Sequence, residues 1–431
     1  DQAGRGWRVA EVDALGNRTT YTHDAAGRVL TETRTRTISA SGGGTTVETL
    51  VTSHEYDTKG RLVRTVQPDG SFSTIEYNGI DKPVLECNAL EHCTSTGYDH
   101  RGNVSSVQFA GGAEITRYDP NGNAILRTDA NGNETTMVYD AANRLIETVH
   151  PDNTPHTRAD NPRATQAYDA AGRLISTTDE RGNTTTYTYD AANRRLTTTA
   201  PPVGAASAAT TTNYDASGRR LAETDPNGNT TSFTYDAAGR LTETLHADGM
   251  RSLVEYDALG RKIAEIDPAS RRTEYAYDAL GRLTAVTLAA GTPEATVTRY
   301  AYDEAGNRTA QTDAEGRITH WTFDAAGREV ARTLPLGQSE QTTYDEAGDR
   351  LTHTDFRGRT TTYLNSGFGR LSAIDYPNDT DVLFGYTPTG QRANAYDARG
   401  ATEYAYDTRD RLVHKSDPDG LTIEYTYDAA G

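Results

Sequence analysis

The most chemically versatile side chains in this sequence are carboxylates, since Asp and Glu number 61 among 431 residues. Many Asp residues recur directly after a Tyr, as at Asp57, Asp169 and Asp236. Two carboxylates can hydrolyse a glycoside only where their surroundings set their pKa values apart. The segments around these Asp residues are nearly identical, so no pair of carboxylates has contrasting surroundings. Asp at such positions is also the residue that caps a backbone turn. The sequence therefore predicts turn formation and no catalytic residues.

Three segments, 119–123, 129–133 and 225–229, resemble half of a calcium-binding loop, with Asp first and Asn in the third and fifth places. A complete loop also needs a second acidic ligand and a bidentate Glu, which these segments do not supply consistently. The ten His residues are scattered and show no metal-binding spacing. Asx turns explain the same residues, so we expect no metal site and no cofactor.

The two cysteines, Cys87 and Cys93, lie in a single short segment. One such pair lacks the spacing of a zinc site. The two thiols are close enough along the chain to form a local disulfide, which stays as the alternative. We expect free thiols.

All of these residues belong to a repeat in which Tyr-Asp is followed three residues later by Gly, about every 21 residues along the chain. A period of this length is typical of a stacked array and not of a globular enzyme. Aligned on the Asp, twenty units begin at Asp1, Asp24, Asp57, Asn78, Asp99, Asp119, Asp140, Asp169, Asp190, Asp215, Asp236, Asp257, Asp278, Asp303, Asp324, Asp345, Ser366, Thr387, Asp407 and Asp428.

The Gly position holds only Gly, Asn or Asp in all twenty units. These are the residues that tolerate positive φ, as required after a type I turn that connects two antiparallel strands. Sixteen units have Gly, and the exceptions are Asn143, Asn193, Asp81 and Asp410. The predicted structural turn residues are Asp57, Gly60, Asp169, Gly172, Asp190, Asn193, Asp236, Gly239, Asp257, Gly260, Asp278 and Gly281.

Between the turns, Thr, Tyr, Val and Ile dominate, and aromatic residues two apart share one face of a strand. A second turn, Asp-x-x-Gly, closes the other end of each unit, as at 129–132. Length variation (34–52, 151–164, 201–211 and 291–298) falls outside the Tyr-Asp turn, so one edge should carry loops. The predicted aromatic ladder comprises Tyr56, Tyr98, Tyr118, Tyr139, Tyr168, Tyr187, Tyr189, Tyr214, Tyr235, Tyr256, Tyr277, Tyr302, Tyr344, Tyr406 and Tyr427.

These patterns predict an all-β fold, one continuous array of antiparallel hairpins over residues 1–431, truncated at both ends. About 40 strands at ~4.8 Å spacing would extend roughly 190 Å, and a twisted sheet of that size must coil. Hydrophobic residues at 35% and a net charge of −18 are also compatible with a disordered chain, but 25 Tyr in fixed register favour folding. The acidic balance argues against nucleic acid, and no apolar run could span a membrane.

The pattern Tyr-Asp-x-x-Gly-Arg-Leu with a following Asp-x-x-Gly resembles the RHS/YD-repeat family, which includes bacterial RHS polymorphic toxins, toxin-complex C components, wall-associated proteins and teneurins. The resemblance implies a strip of β-sheet that spirals into a hollow shell, which in bacterial members encloses a C-terminal toxin domain. Neither a toxin domain nor the self-cleaving core segment is found in this sequence. Toxicity and self-cleavage are therefore assigned to no residue.

By this resemblance we expect a non-enzymatic wall segment of a secreted or cell-surface bacterial protein, although no signal peptide is present. The expected partners are a covalently linked toxin domain and further shell repeats, with a secretion apparatus or surface partner left open. A cell-surface adhesion or carbohydrate-binding module is the main alternative, and a repeat-built hydrolase is a third. Tyr rings packed between strands would favour the wall, whereas rings lining an open groove would favour adhesion.

Overall fold

The computed structural model describes residues 6–39, 44–109, 111–152, 160–202, 208–367 and 369–430. These residues form a single antiparallel sheet of 38 strands without a helix, which confirms the predicted all-β hairpin array. The first half comprises β1 Ala10–Val12, β2 Arg18–His23, β3 Val29–Ser39, β4 Thr45–Tyr56, β5 Leu62–Val66, β6 Phe72–Tyr77, β7 Pro83–Cys87, β8 Cys93–Tyr98, β9 Val104–Phe109, β10 Gly112–Tyr118, β11 Ala124–Thr128, β12 Glu134–Tyr139, β13 Leu145–Val149, β14 Arg163–Tyr168, β15 Leu174–Thr178, β16 Thr184–Tyr189, β17 Arg195–Thr199, β18 Ala209–Tyr214 and β19 Arg220–Thr224.

The second half continues with β20 Thr230–Tyr235, β21 Leu241–Leu245, β22 Arg251–Tyr256, β23 Lys262–Ile266, β24 Arg272–Tyr277, β25 Leu283–Leu288, β26 Thr296–Tyr302, β27 Arg308–Thr312, β28 Ile318–Phe323, β29 Glu329–Thr333, β30 Ser339–Tyr344, β31 Arg350–Thr354, β32 Thr360–Asn365, β33 Leu371–Asp375, β34 Val382–Tyr386, β35 Arg392–Asp397, β36 Gly400–Tyr406, β37 Leu412–Ser416 and β38 Thr422–Glu424. Each strand pairs with the next one in the chain, so the sheet is a meander.

The two edges of this strip are built from different hairpin turns. Even-numbered strands from β2 to β36 turn into the next strand at what we call the Tyr-Asp edge; most end at a Tyr, and β2, β28 and β32 end at His23, Phe323 and Asn365. Odd-numbered strands turn at the opposite side, which we call the loop edge. A register shift at the end of β14, between Ala167 and Tyr168, shows the bulge that accompanies the Tyr-Asp turn.

The sheet is one layer thick, so it has little conventional core. Among the described residues, the buried apolar side chains are Leu50, Val149, Ala264, Ala290 and Ala373. Most other strand residues are half-buried against their neighbours. Stability in such an array depends on contacts between adjacent hairpins, because one hairpin alone is marginal in water.

Adjacent hairpins separate toward the Tyr-Asp edge. Strands β14 and β15 of one hairpin pair as far as Tyr168 and Leu174, beside the turn. The pairing between β15 and β16 of the next hairpin stops at Ser176 and Thr186, short of that edge. This leaves a gap between hairpins that only side chains can fill.

The strip coils and meets itself after about twelve units. Asp69 in the third unit contacts Arg328 in the fifteenth, and Asn131 in the sixth contacts Thr389 in the eighteenth. In each pair the earlier residue lies on the loop edge and the later one on the Tyr-Asp edge. We call the units before and after this return the first and second coils, and the line of contact the seam.

On both sides of residues 40–43, which lie outside the described residues, the insertion predicted at 34–52 continues the hairpin as strand. Strands β3 and β4 contain 11 and 12 residues, about twice the length of their neighbours. The added length carries Arg36 and Thr37 beyond the other first-coil hairpins to the second coil. The centres of the insertions at 151–164 and 201–211, and the predicted turn residues Asp1, Gly4 and Gly431, lie outside the described residues.

The expectation of free thiols was wrong, because Cys87 and Cys93 form a disulfide. The turn at 88–92 places the end of β7 directly opposite the start of β8, where the two cysteines are paired in register. Their Cα atoms are 4.1 Å apart. The hairpin itself therefore brings the two sulfur atoms together, which the spacing alone did not decide.

Candidate functional site: the turn latch and the seam

Each Tyr-Asp turn is stabilised by its own Asp side chain, as the turn 169–173 shows. The Asp169 carbonyl accepts a hydrogen bond from the Gly172 N–H at 3.0 Å. Gly172 has a φ of 83°, the left-handed conformation that a Cβ disfavours. Asp169 Oδ1 accepts the N–H groups of Ala171 and Arg173, both at 2.9 Å. The carboxylate thus satisfies backbone donors that the tight turn would leave without partners.

The Arg that follows the turn joins one unit to the next. Arg173 Nε donates to Asp169 Oδ2 at 2.7 Å, which fixes the guanidinium beside its own turn. Its Nη1 donates to the carbonyl of Asp190 in the next unit at 3.2 Å. The guanidinium carbon also lies 5.2 Å from the ring centroid of Tyr189, within the range of a cation–π interaction.

The Tyr completes this connection from the other side. The Tyr189 hydroxyl donates to the carbonyl of Leu174 at 2.7 Å, across the gap where β15 and β16 no longer pair. We call the set of Asp, Arg and next-unit Tyr the latch. It supplies hydrogen bonds where the strand ladder ends, because a carbonyl left without a donor there would be costly.

The predicted ladder residues largely occupy this position. Those that donate their hydroxyl to a backbone carbonyl of the preceding hairpin are Tyr56, Tyr98, Tyr118, Tyr168, Tyr189, Tyr214, Tyr235, Tyr256, Tyr277, Tyr302, Tyr344, Tyr406 and Tyr427. Tyr139 ends β12 opposite Leu145. Tyr187 belongs to an inner row and lies under the guanidinium of Arg195 at 4.8 Å.

The predicted turn residues all lie at Tyr-Asp turns. The carbonyl of each predicted Asp accepts the N–H three residues on, as between Asp57 and Gly60 at 2.9 Å. Positive φ occurs at Gly60, Gly172, Asn193, Gly239, Gly260 and Gly281. Asp81, Asn143 and Asp410 also have positive φ.

The carboxylate of a latch such as Asp169 remains ionised to low pH. Hydrogen bonds from the Arg173 backbone and then from its side chain hold the pKa of Asp169 below its usual value. The same causes, from Arg359, lower the pKa of Asp355 on the loop edge to about 2. Groups of this kind stabilise the fold above their unfolded pKa, and that contribution disappears as the pH falls through the folded pKa. Their charges are compensated locally, so they are poorly suited to acid–base catalysis.

The Asn-rich turns considered for calcium are closed by internal hydrogen bonds. Asn133 Nδ2 donates to Asp129 Oδ2 at 2.9 Å, and Asp129 Oδ1 accepts the backbone N–H groups of Asn131 and Asn133. Both carboxylate oxygens of Asp129 thus accept hydrogen bonds from its own turn, and Asn133 presents to them its amide nitrogen, which is not a calcium-ligating atom. Within the described ranges, no three His, Cys, Asp or Glu side chains are grouped as metal ligands would be.

The seam is polar and partly buried. Thr37 donates through its N–H and its hydroxyl to the carboxylate of Glu304, both at 2.8 Å. Arg328 Nη2 donates to Asp69 Oδ2 at 2.9 Å, and Arg181 forms an ion pair with Asp428 at 2.8 Å. These contacts join loop-edge turns of the first coil to Tyr-Asp turns of the second.

Arg36 is the most deeply buried charged residue of the seam and was missed by the sequence analysis. Its side chain is 2% exposed, and its guanidinium donates to Glu48 at 2.6 Å and to the carbonyl of Phe323 at 2.9 Å. Asp303, itself 4% exposed, lies 3.9 Å away. The only sequence signal was its place in an insertion, which does not identify a partner some 270 residues distant.

The comparisons with known proteins agree with this architecture. The model described as Teneurin YD-shell matches residues 206–430, and the RHS Repeat model matches residues 4–42, 118–155 and 168–204. No protein matched in the search of curated proteins.

Solved structures with a similar fold carry toxin-complex names. A crystal structure of TcdB2-TccC3-TEV has a TM-score of 0.64 at 18% identity, with 96% of this chain and 25% of that chain covered. A Tc holotoxin pore of Photorhabdus luminescens with a TccC3 mutation gives 0.63 at 17% identity, with the same coverage. The present chain thus spans about a quarter of the length of these structures. At this identity the likeness concerns the fold.

Proposed function

This chain belongs to the teneurin YD-shell family, and on that premise we propose that it is a structural, non-enzymatic wall segment of a secreted toxin-associated shell. Its proposed role is to enclose a toxin domain of the same parent protein by forming a continuous barrier around it. A linked toxin domain and further shell repeats are the proposed partners. The observation that carries the proposal is the seam, because it closes the coiling strip edge to edge.

Two levels of contact support a barrier. Within one coil, the latch bridges neighbouring hairpins where backbone pairing stops, as Tyr189 does at Leu174. Between coils, Arg36, Arg181 and Arg328 bind carbonyl or carboxylate groups across the seam. A wall that retains a polypeptide needs contacts at both levels, because a gap between hairpins or between coils would let an extended chain pass.

The arrangement of the Tyr rings favours the wall over carbohydrate binding. Sugars stack on aromatic faces that are open to solvent, whereas Arg240 lies 4.8 Å from the ring centroid of Tyr256. The Tyr256 hydroxyl is engaged with the carbonyl of Leu241 at 3.0 Å. The ladder rings therefore serve contacts within the sheet.

The surroundings of the carboxylates support a non-catalytic role. The pKa of Asp236 is lowered by hydrogen bonds from the Arg240 backbone and side chain. Catalytic carboxylate pairs need contrasting environments. The disulfide between Cys87 and Cys93 fits an oxidising compartment and so supports secretion or cell-surface exposure. Within the described part of the chain, no helix has the length and apolar character needed to span a bilayer.

The proposal is tested by protease protection of the segment encoded downstream in the parent protein. The full parent should keep that segment resistant to a protease that digests the same segment when expressed alone. Equal digestion in both forms, with intact repeats, would refute enclosure. Binding of the purified repeats to a glycan array would support the adhesion alternative, and turnover in a broad hydrolase screen would support the enzymatic one.

A further inference from the structure

A buried cluster of ionisable side chains crosses the seam near its end. The His150 Nε2 atom lies 3.3 Å from Glu180 Oε1, and Arg409 Nη2 donates to the same oxygen at 3.0 Å. The side chains of His150, Glu180 and Arg409 are 27%, 11% and 17% exposed. His150 and Glu180 belong to the loop edge of the first coil, and Arg409 belongs to a Tyr-Asp turn of the second.

The members of this cluster are held in place by backbone contacts. The His150 N–H donates to the carbonyl of Pro162 at 2.9 Å, and Asn161 Nδ2 donates to the carbonyl of His150 at 2.8 Å. Arg409 Nη1 donates to the carbonyl of Ala429 at 2.7 Å. These contacts fix the His150 backbone and the Arg409 guanidinium, and so keep both residues near Glu180.

A cavity of about 580 Å³ borders the cluster and gives water and protons access to it. Other charged groups on the surrounding elements are Glu114 of β10, Arg127 of β11, Asp129 after β11, Asp152 and Asp160 between β13 and β14, Asp179 and Arg181 after β15, Asp407, Asp410 and Arg411 after β36, and Asp428. Arg181 is paired with Asp428.

The environment of His150 disfavours its charged form. Burial lowers its pKa, the Arg409 guanidinium lowers it further, and Glu180 opposes both with a smaller effect. A ring released into water titrates near 6.5. The open seam therefore binds the proton more tightly than the closed one, so closure loses stability as the pH falls below about 6.5.

We propose that this part of the seam is a proton-sensitive closure, in which protonation of His150 sets a second cation beside Arg409 on the single carboxylate of Glu180 and loosens the contact between coils. Mild acidification would then loosen the seam at this cluster while the hairpins stay folded. The inference concerns the wall itself and does not depend on what the wall encloses.

Other ionisable seam groups act elsewhere or at lower pH. The pKa values of Asp69 and Glu304 are lowered below their ordinary values of 3.8 and 4.5, so these carboxylates stay charged in the window considered. Burial and then Asp345 raise the pKa of Asp349, whose protonation would strengthen the closure. Asp349 lies beside His92, in a different pair of units. The experiment must therefore measure hydrogen-exchange protection at residues 179–182 and 407–411, where this cluster joins the two coils.

Hydrogen exchange measured by mass spectrometry at pH 7.5 and pH 5.5, corrected for the intrinsic rate, provides that reading. We expect protection of 179–182 and 407–411 to fall by up to about tenfold between the two pH values, because pH 5.5 lies about one unit below the pKa of the imidazole in the open seam. His150→Gln keeps an amide beside Glu180 but cannot titrate, so the loss should disappear. His246→Gln is the matched control, because His246 begins the equivalent turn and contacts only Ser252 of its own hairpin among the contacts described.

An unchanged protection in the wild type, or a loss that persists in His150→Gln, would overturn the proposal. Loss in His246→Gln equal to the wild type is expected. Protection of β20 should be the same at both pH values. A loss there would indicate general unfolding, which would also expose the residues at the seam. If His150→Gln does not fold, an NMR titration of histidine-labelled wild type decides: a His150 pKa at or above 6.5 refutes the mechanism.

Discussion

Replacement of Arg36 by Met should open the seam without unfolding the hairpins. Met preserves most of the aliphatic stem but removes the guanidinium, which binds Glu48 and the carbonyl of Phe323 and lies 3.9 Å from Asp303. Asp303 would keep a buried charge, although Asn307 still donates to it through its N–H and amide groups.

The expected change in the free energy of seam opening follows from the burial of these charged groups. Loss of one partner from a buried ion pair costs about 3 to 5 kcal/mol. Glu48 is about one-third exposed and Asn307 partly compensates Asp303, so the lower end, about 3 kcal/mol, is expected here. A change of about 3 kcal/mol corresponds to roughly a 100-fold shift in an opening equilibrium.

Native-state hydrogen exchange of the Thr37 amide is a direct assay, because that N–H donates across the seam to Glu304. The amide should exchange roughly 100-fold faster in Arg36→Met. Arg34→Met is the matched control: Arg34 is on the same strand, its side chain is 53% exposed, and it pairs with Glu32 of the same hairpin. A global unfolding curve would be less informative, because repeat arrays often depart from two-state behaviour.

Unchanged Thr37 exchange in a folded Arg36→Met protein would refute the assignment of Arg36 to the seam. A double-mutant cycle with Asp303→Asn adds a second check. If the two residues interact as the geometry indicates, the combined effect should be smaller than the sum of the single effects. If the two single effects add exactly, the closeness of the buried Arg36 and Asp303 side chains contributes no coupling free energy.

Four further tests concern the latch, the turn, the loop-edge carboxylate Asp355 and the disulfide. Tyr189→Phe should lower the local stability of its hairpin by about 1 kcal/mol through the lost hydroxyl bond, measured by hydrogen exchange of β16; no change would contradict a bonded latch. Gly172→Ala should cost about 1 to 2 kcal/mol through its left-handed torsion, because the atom nearest to the added Cβ, Arg144 Nη1, would lie at an ordinary contact distance of 3.7 Å; unchanged hydrogen exchange of its hairpin would contradict positive φ at this residue. The stabilising contribution of ionised Asp355 should be lost as the pH falls from 3.8 toward about 2, and an NMR titration that gives an ordinary pKa would contradict its bonding to Arg359. Alkylation of Cys87 and Cys93 should require prior reduction, and mass spectrometry that finds modification without reductant would disprove the disulfide.

Much of the repeat unit could be read from the chain because its determinants are local. Asp169 and Gly172 are three residues apart, and the torsion that Gly accepts and the donors that Asp caps lie within the same turn. The role of Arg173 was missed although Arg follows most of these turns, because its partners Asp190 and Tyr189 lie in the next unit. Their contact depends on how far adjacent hairpins separate.

The disulfide shows the same limit at short range. The spacing of Cys87 and Cys93 along the chain is compatible with both a disulfide and free thiols. The register of β7 and β8 decides between them, since a shift of one residue would put the two side chains on opposite faces.

The sequence by itself determined the all-β array, the hairpin as its unit and the strip that coils, because turn torsions and alternating side chains act over a few residues. Only the tertiary structure decided that about twelve units complete one coil and that Arg36 meets Asp303, or Glu180 meets Arg409. The pitch of the coil is the sum of many small twists between neighbouring strands. A small difference in each twist would shift the seam by whole units, so no single motif can encode it.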